Sequence, residues 1–138
     1  MFLLGIDIGY SNLKIAYGDS ALRDPKVEVF PSGAAPMDAV GPRFNGERRA
    51  TVLVEGRPWI AGEPQAGLLR PSQRGLDDNF PATDYYRALL NYALLRAGRE
   101  HVDHLVTGLP VGDSLKPERV GALKERLTSF GARSARHA

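Results

Sequence analysis

The run Gly5-Ile6-Asp7-Ile8-Gly9-Tyr10-Ser11-Asn12-Leu13-Lys14 gathers the residues of this chain best suited to chemistry. Asp7 closes an apolar stretch. A carboxylate there can serve a hydrated Mg²⁺, a hard cation that takes oxygen ligands and keeps several of its waters. Gly9 opens a tight turn whose backbone N–H groups can converge on an anion. Ser11 and Asn12 add donors. On the returning segment Lys14 shares a face with Asn12, because side chains alternate along a strand, and its ammonium is a compact point charge for phosphate. Carboxylate, backbone cradle and ammonium together compose a nucleoside-triphosphate site. The sequence holds no Gly-x-x-x-x-Gly-Lys, so the site is not a P-loop. The same residues also fit a plain hairpin, with Asp7 at a strand end and Lys14 facing solvent. Spacing alone leaves both readings open.

The elements that must position these groups follow from periodicity. Residues 2–8 predict a buried strand and 12–18 an alternating one, joined by a hairpin-sized turn. Residues 26–30 alternate again and stop at Pro31, which completes an antiparallel meander. Residues 31–50 are rich in Gly, Pro, Ala and Asn and predict loop or a small irregular insertion. Residues 51–55 and 58–61 flank Glu55-Gly56-Arg57 as a small hairpin, and 62–82 carry little periodicity. Thr83 caps a predicted helix over 84–97, with Asp84 in its first turn, Gly98 just past its end, and Leu89, Leu90, Ala93, Leu94 and Ala97 on one stripe. Residues 102–107 predict a short strand. Pro117 then precedes a helix over 118–130 with Val120, Leu123, Leu127 and Phe130 inward. This order is that of a mixed α/β layer structure.

Composition narrows the function classes. The chain has 138 residues, 43% of them hydrophobic and 25% charged, which suits one globular domain, or one plus a fragment. With 18 basic against 16 acidic residues the net charge is +2. Nucleic-acid binders carry a larger, clustered excess. Residues 116–138 hold six basic and two acidic residues, which reads as a solvated helix face and a frayed end. The absence of cysteine excludes disulfides, thiolate catalysis and cysteine-ligated metals, and it fits a reducing compartment. The opening Met1-Phe2-Leu3-Leu4-Gly5-Ile6-Asp7 lacks the basic region of a signal peptide. No apolar run approaches the ~18 residues that span a bilayer. A cytoplasmic, soluble protein without a membrane partner is expected.

Other chemistry-bearing residues read as structural. His101 and His104 flank Asp103, but the three or four convergent ligands of a metal site are not visible, so exposed loop histidines are expected. Tyr85, Tyr86 and Tyr92 read as helix packing, and Trp59 as the anchor of the small hairpin. Ser11, Ser32 and Ser114 have no His and Asp company that would make a triad.

Asp7-Ile8-Gly9-Tyr10-Ser11-Asn12-Leu13-Lys14 resembles the first phosphate motif of the actin, heat-shock chaperone and sugar-kinase superfamily, and most closely the plasmid-segregation actins of the ParM/StbA type. Further segments carry the resemblance in the same order. Val29-Phe30-Pro31-Ser32 is similar to the Val-Phe-Pro-Ser after the third strand of actin. Trp59-Ile60-Ala61-Gly62-Glu63 resembles the (Tyr/Trp)-x-x-Gly-(Asp/Glu) segment that closes the subdomain insertion. Asp84-Tyr85-Tyr86-Arg87-Ala88-Leu89, with Leu105-Val106-Thr107-Gly108-Leu109-Pro110-Val111, resembles the helix and following strand of ParM/StbA members.

The resemblance implies an α/β, ribonuclease-H-like first domain of an actin-like ATPase: a mixed sheet with flanking helices over 1–130 and an insertion subdomain at about 31–82. Residues 131–138 carry no strand or helix signal of their own and are expected to form an unstructured tail. The resemblance also implies ATP and Mg²⁺ as cofactors, and ATP hydrolysis coupled to filament growth that separates plasmid copies. The implied partners are further copies of the same protein and a plasmid-partition adaptor, through which DNA is contacted indirectly. Asp7 would orient water on the Mg²⁺. Gly9, Tyr10, Ser11 and Asn12 would donate to the β- and γ-phosphates, and Lys14 would pair with phosphate charge. Tyr10 departs from the usual Ser or Thr; this preserves a backbone contact there but not the usual hydroxyl one. In the insertion Arg48, Arg49, Arg70 and Arg74 fall where actin-like filaments contact the next subunit, though solvated arginines are the plainer reading.

Members of this family are longer and bind nucleotide between two similar domains. After Lys14 no second Asp-x-Gly occurs, and neither Asp77-Asp78-Asn79 nor Asp113-Ser114 fits one. The resemblance therefore implies a truncated N-terminal portion that lacks the last strand and helix of its domain and turns over little ATP alone. Two alternatives remain open. One is a small-molecule kinase like the type III pantothenate kinases, which share the opening motif but lack the Val-Phe-Pro-Ser and insertion segments. The other is a non-catalytic module that caps filaments.

Overall fold

The computed structural model describes residues 1–21, 23–39, 51–63 and 80–134, with side chains as far as residue 128. Arg48, Arg49, Arg70, Arg74, Asp77, Asp78 and Asn79 lie outside the described residues. Strands β1 (Phe2–Ile8), β2 (Asn12–Asp19) and β3 (Lys26–Pro31) form the expected antiparallel meander. The chain then builds β4 (Ala34–Pro36), β5 (Thr51–Val54), β6 (Arg57–Ala61) and helix α1 (Asp84–Ala97) before β7 (His104–Thr107) returns parallel to β1. A parallel return needs such a crossover. Helices α2 (Val111–Ser114) and α3 (Pro117–Ser134) follow. The first sheet has the order β3-β2-β1-β7 and the second β4-β6-β5.

Strand β1 alternates by burial, with Phe2, Leu4, Ile6 and Ile8 inward and Leu3 and Asp7 outward. Strand β2 answers with Leu13 and Ile15 inward. Helix α1 covers this inner face and also packs on the second sheet. Its Ala88, Leu89 and Ala93 are fully buried, and each such leucine contributes about 2 kcal/mol by leaving water. The helix starts and stops where expected. Thr83 accepts a hydrogen bond from the Tyr86 N–H at 3.2 Å, and Gly98 ends the helix in the left-handed conformation at φ 67°. The opposite face of the first sheet leaves Leu3, Val27, Val29 and Val106 exposed, and β7 forms one edge of it.

Several elements differ from expectation. β4 occupies part of the predicted loop, because three residues are too short to show a period and its bonds run to distant β6. The short helix α2 and the 3₁₀ turns at Met37–Ala39 and Phe80–Ala82 carry no periodic signal either. β7 begins at His104 rather than residue 102, because Asp103 is bonded to Phe2 by both its backbone N–H and its carboxylate. α3 runs to Ser134, into the predicted unstructured tail. Gly131 weakens a helix by only about 1 kcal/mol relative to alanine, and Ala132 and Arg133 after it favour continuation.

The end of α1 is tied to the meander by Glu28. Its carboxylate accepts from Arg96 at 2.5 Å and from the Tyr17 hydroxyl at 3.0 Å. The Arg96 bond, helped by Tyr17, holds the Glu28 carboxyl below its usual range. A depressed folded-state pKa gives stability above the ordinary carboxylate value, lost as pH falls through the folded one. Glu28→Gln should therefore cost about 1 kcal/mol at pH 7, within the range of a partly exposed pair. The difference from wild type should vanish in urea melts taken in strong acid.

Candidate functional site

The hairpin between β1 and β2 is as short as the spacing suggests. Ile8 pairs with Leu13, and the Gly9 N–H donates to the Asn12 carbonyl at 3.0 Å, which leaves Tyr10 and Ser11 as the loop. Gly9 does not have a positive φ. A Cβ there would sit 3.2 Å from the Asn12 carbonyl oxygen, a tight contact that glycine avoids. The Gly9 N–H is thus spent within the hairpin. Among the described residues the Tyr10 and Ser11 N–H groups make no turn bond and remain as backbone donors at the tip.

Asp7 and Lys14 are register partners on adjacent strands. Their side chains project to the outer face, where Lys14 Nζ lies 3.8 Å from Asp7 Oδ2, and they are 58% and 69% exposed. Asn12 lies on the same face of β2, as alternation requires. The carboxylate and the ammonium are thus brought together beside the turn and are open to solvent. Tyr10 is half exposed and packs its ring on Phe80, with centroids 5.4 Å apart.

Below the hairpin lies a buried polar pair absent from the sequence reading. The Tyr86 hydroxyl and Thr107 Oγ1 are both buried, and neither reaches a partner at hydrogen-bond geometry among the described residues. Burial pushes the Tyr86 phenol up, the nearby Thr107 hydroxyl opposes this, and the Asp7 charge adds to it. Thr107 pairs with Ile6, so these hydroxyls lie at the carboxyl end of the parallel β1–β7 pair. That is where open α/β sheets bind ligands. The packing role expected of Tyr86 agrees with its 2% exposure. Nothing in the periodicity marks its hydroxyl.

Ser32 ends the Val29-Phe30-Pro31-Ser32 segment. It is fully buried, and its N–H donates to the Ser11 carbonyl at 3.0 Å. Its hydroxyl is buried and has no partner among the described residues. The other candidates fall elsewhere. His101 and His104 are exposed, and His101 Nε2 lies 3.2 Å from Asp103. Among the described residues no group of three or more His, Asp and Glu side chains converges. Asp113 is buried and pairs with Arg119 on α3. Among the described residues no helix is long and apolar enough to cross a membrane.

The donor set suits a nucleotide's phosphates with Mg²⁺. An exposed carboxylate, an ammonium 3.8 Å from it, and a turn with two unspent N–H groups converge at one strand end. Asp7 would hold the ion through its waters, and Lys14 with the Tyr10 and Ser11 N–H groups would hold phosphate oxygens. The ion would supply charge neutralisation of those oxygens.

The comparisons with known proteins agree with this architecture. No curated protein sequence matches the chain. Among solved structures, the AlfA filament from B. subtilis plasmid pLS32 has the same fold, with a TM-score of 0.60 at 21% identity. The match covers 86% of this chain and 45% of that one, so the chain spans less than half of AlfA's length. The family model described as the N-terminal domain of actin-like proteins matches residues 5–136. With that match spanning nearly its whole length, the chain belongs to the actin-like proteins and has the fold of their N-terminal domain.

Proposed function

We propose that this chain is the N-terminal half of an actin-like ATPase that binds ATP with Mg²⁺ at the Gly9–Asn12 hairpin and assembles into filaments that segregate plasmid DNA in the cytoplasm. The observation that carries the nucleotide site is the exposed Asp7–Lys14 pair, 3.8 Å apart beside a two-residue turn. An exposed surface pair contributes at most about 1 kcal/mol to folding, so stability alone gives little reason for placing these two groups there. Support for assembly is the likeness to AlfA, a plasmid-borne protein whose structure is that of a filament; plasmid partition follows the resemblance of the sequence motifs. An adaptor protein would connect such a filament to DNA.

The test is titration calorimetry of the purified chain with ATP, with and without Mg²⁺. One wall of a cleft should bind in the millimolar range, roughly −4 kcal/mol. Lys14→Ala should weaken that binding by about tenfold, as expected for one charge-assisted contact. Equal heats for wild type and Lys14→Ala would remove the hairpin from the nucleotide site. Sedimentation with ATP but not ADP would support assembly, and nucleotide-independent sedimentation would count against it.

A further inference from the structure

We propose that the Tyr85 hydroxyl is a positioning group for the hairpin turn, acting through Ser32. The inference rests on the reading of that turn as the phosphate site. Tyr85 lies in the first turn of α1, and its hydroxyl donates to the Ser32 carbonyl at 2.5 Å in a buried setting. The Ser32 N–H in turn donates to the carbonyl of Ser11, a turn residue, at 3.0 Å. The same short connector is fixed on its other side, where the Gly33 carbonyl accepts from the Gly62 N–H at 2.8 Å. Ser32 and Gly33 thus form the joint between the two sheets, and Tyr85 pins that joint from the helix.

The other loop residue is held from the same place. The Tyr10 ring packs on Phe80, and the Phe80 ring lies 6.0 Å from that of Tyr85. Both tip residues are therefore referred to the start of α1. A turn that presents N–H groups to an anion works only if those groups are fixed beforehand. Without the phenol the Ser32 carbonyl is buried with no other partner among the described residues, a costly state that turning its peptide would relieve. Such a turn loosens the Ser32–Ser11 bond next to it.

Amide hydrogen exchange of the nucleotide-free chain tests the relay directly. Tyr85→Phe removes one oxygen and keeps the ring. It should lower protection of the Ser32 and Gly9 amides by about tenfold, the effect of losing one buried hydrogen bond, while the Ile6 and Ile15 amides keep theirs. Ser32→Ala removes only a hydroxyl that has no partner among the described residues, so it should leave the turn protected. Tyr85→Phe should also weaken Mg²⁺-dependent ATP binding severalfold without a matching loss of melting temperature. Unchanged Ser32 and Gly9 protection in Tyr85→Phe, or loss spread evenly over the chain, would overturn the proposal. If wild type binds no ATP, the nucleotide reading fails, and the exchange data still decide the relay.

Discussion

Gly62→Ala should lower the stability of the chain by about 3 kcal/mol, the sum of a backbone penalty and a packing penalty. Gly62 has φ 76°, in the left-handed region where a Cβ meets its own carbonyl. The added Cβ would also lie 2.5 Å from Tyr92 Cε1 and 2.7 Å from Cζ, closer than atoms can sit. The ring has little room to yield. Tyr92 is 7% exposed, and Phe30 packs edge-on against it at 5.1 Å. Relief would have to come from the backbone, where the Gly62 N–H is bonded to Gly33 in the joint between the sheets. Gly56 separates the two penalties. Its φ is 81°, but a Cβ there would meet nothing within 4 Å. Gly56→Ala should cost only about 1 kcal/mol, the backbone part. Urea melts of the two variants check this, and equal losses would mean that the Tyr92 contact does not matter.

The same glycine marks how far the sequence could be read. Trp59-Ile60-Ala61-Gly62-Glu63 was legible as a motif, yet its spacing does not say that the glycine faces Tyr92 on a helix far along the chain. Elements with local rules were legible. α1 follows from Thr83, Gly98 and its apolar stripe, and β1 and β2 from alternation and a two-residue turn. Asp7 and Lys14 follow too, since a hairpin that short sets the register. β4 was hidden because only pairing to β6 makes Ala34–Pro36 a strand. The bond between Tyr85 and Ser32 is hidden for a related reason: it joins residues that only the crossover brings together. Periodicity places a tyrosine in the core but does not say what its hydroxyl touches. The helical course of Gly131–Ser134 was missed because glycine reads locally as a stop, although its cost is small beside the turns that precede it.

Asp7→Asn should weaken Mg²⁺-dependent ATP binding by roughly 10–100-fold, the usual loss when a group that orients a metal's own ligands is removed. The melting temperature should barely change. Asp7 is 69% exposed, and its 3.8 Å contact with Lys14 is a surface pair, so folding depends little on its charge. Asparagine keeps the shape and removes the charge, so a binding loss cannot be assigned to misfolding. In EDTA the sign should reverse. Without the ion the Asp7 carboxylate repels the triphosphate and competes with it for the Lys14 ammonium. Removing that charge should leave ATP binding equal or tighter than wild type. The ratio of affinities with and without Mg²⁺ therefore carries the assignment, because a general disturbance of the turn would weaken both alike. If both affinities fall together, Asp7 shapes the hairpin rather than serving the ion, and Lys14 with the Tyr10 and Ser11 N–H groups would then make a metal-free anion site.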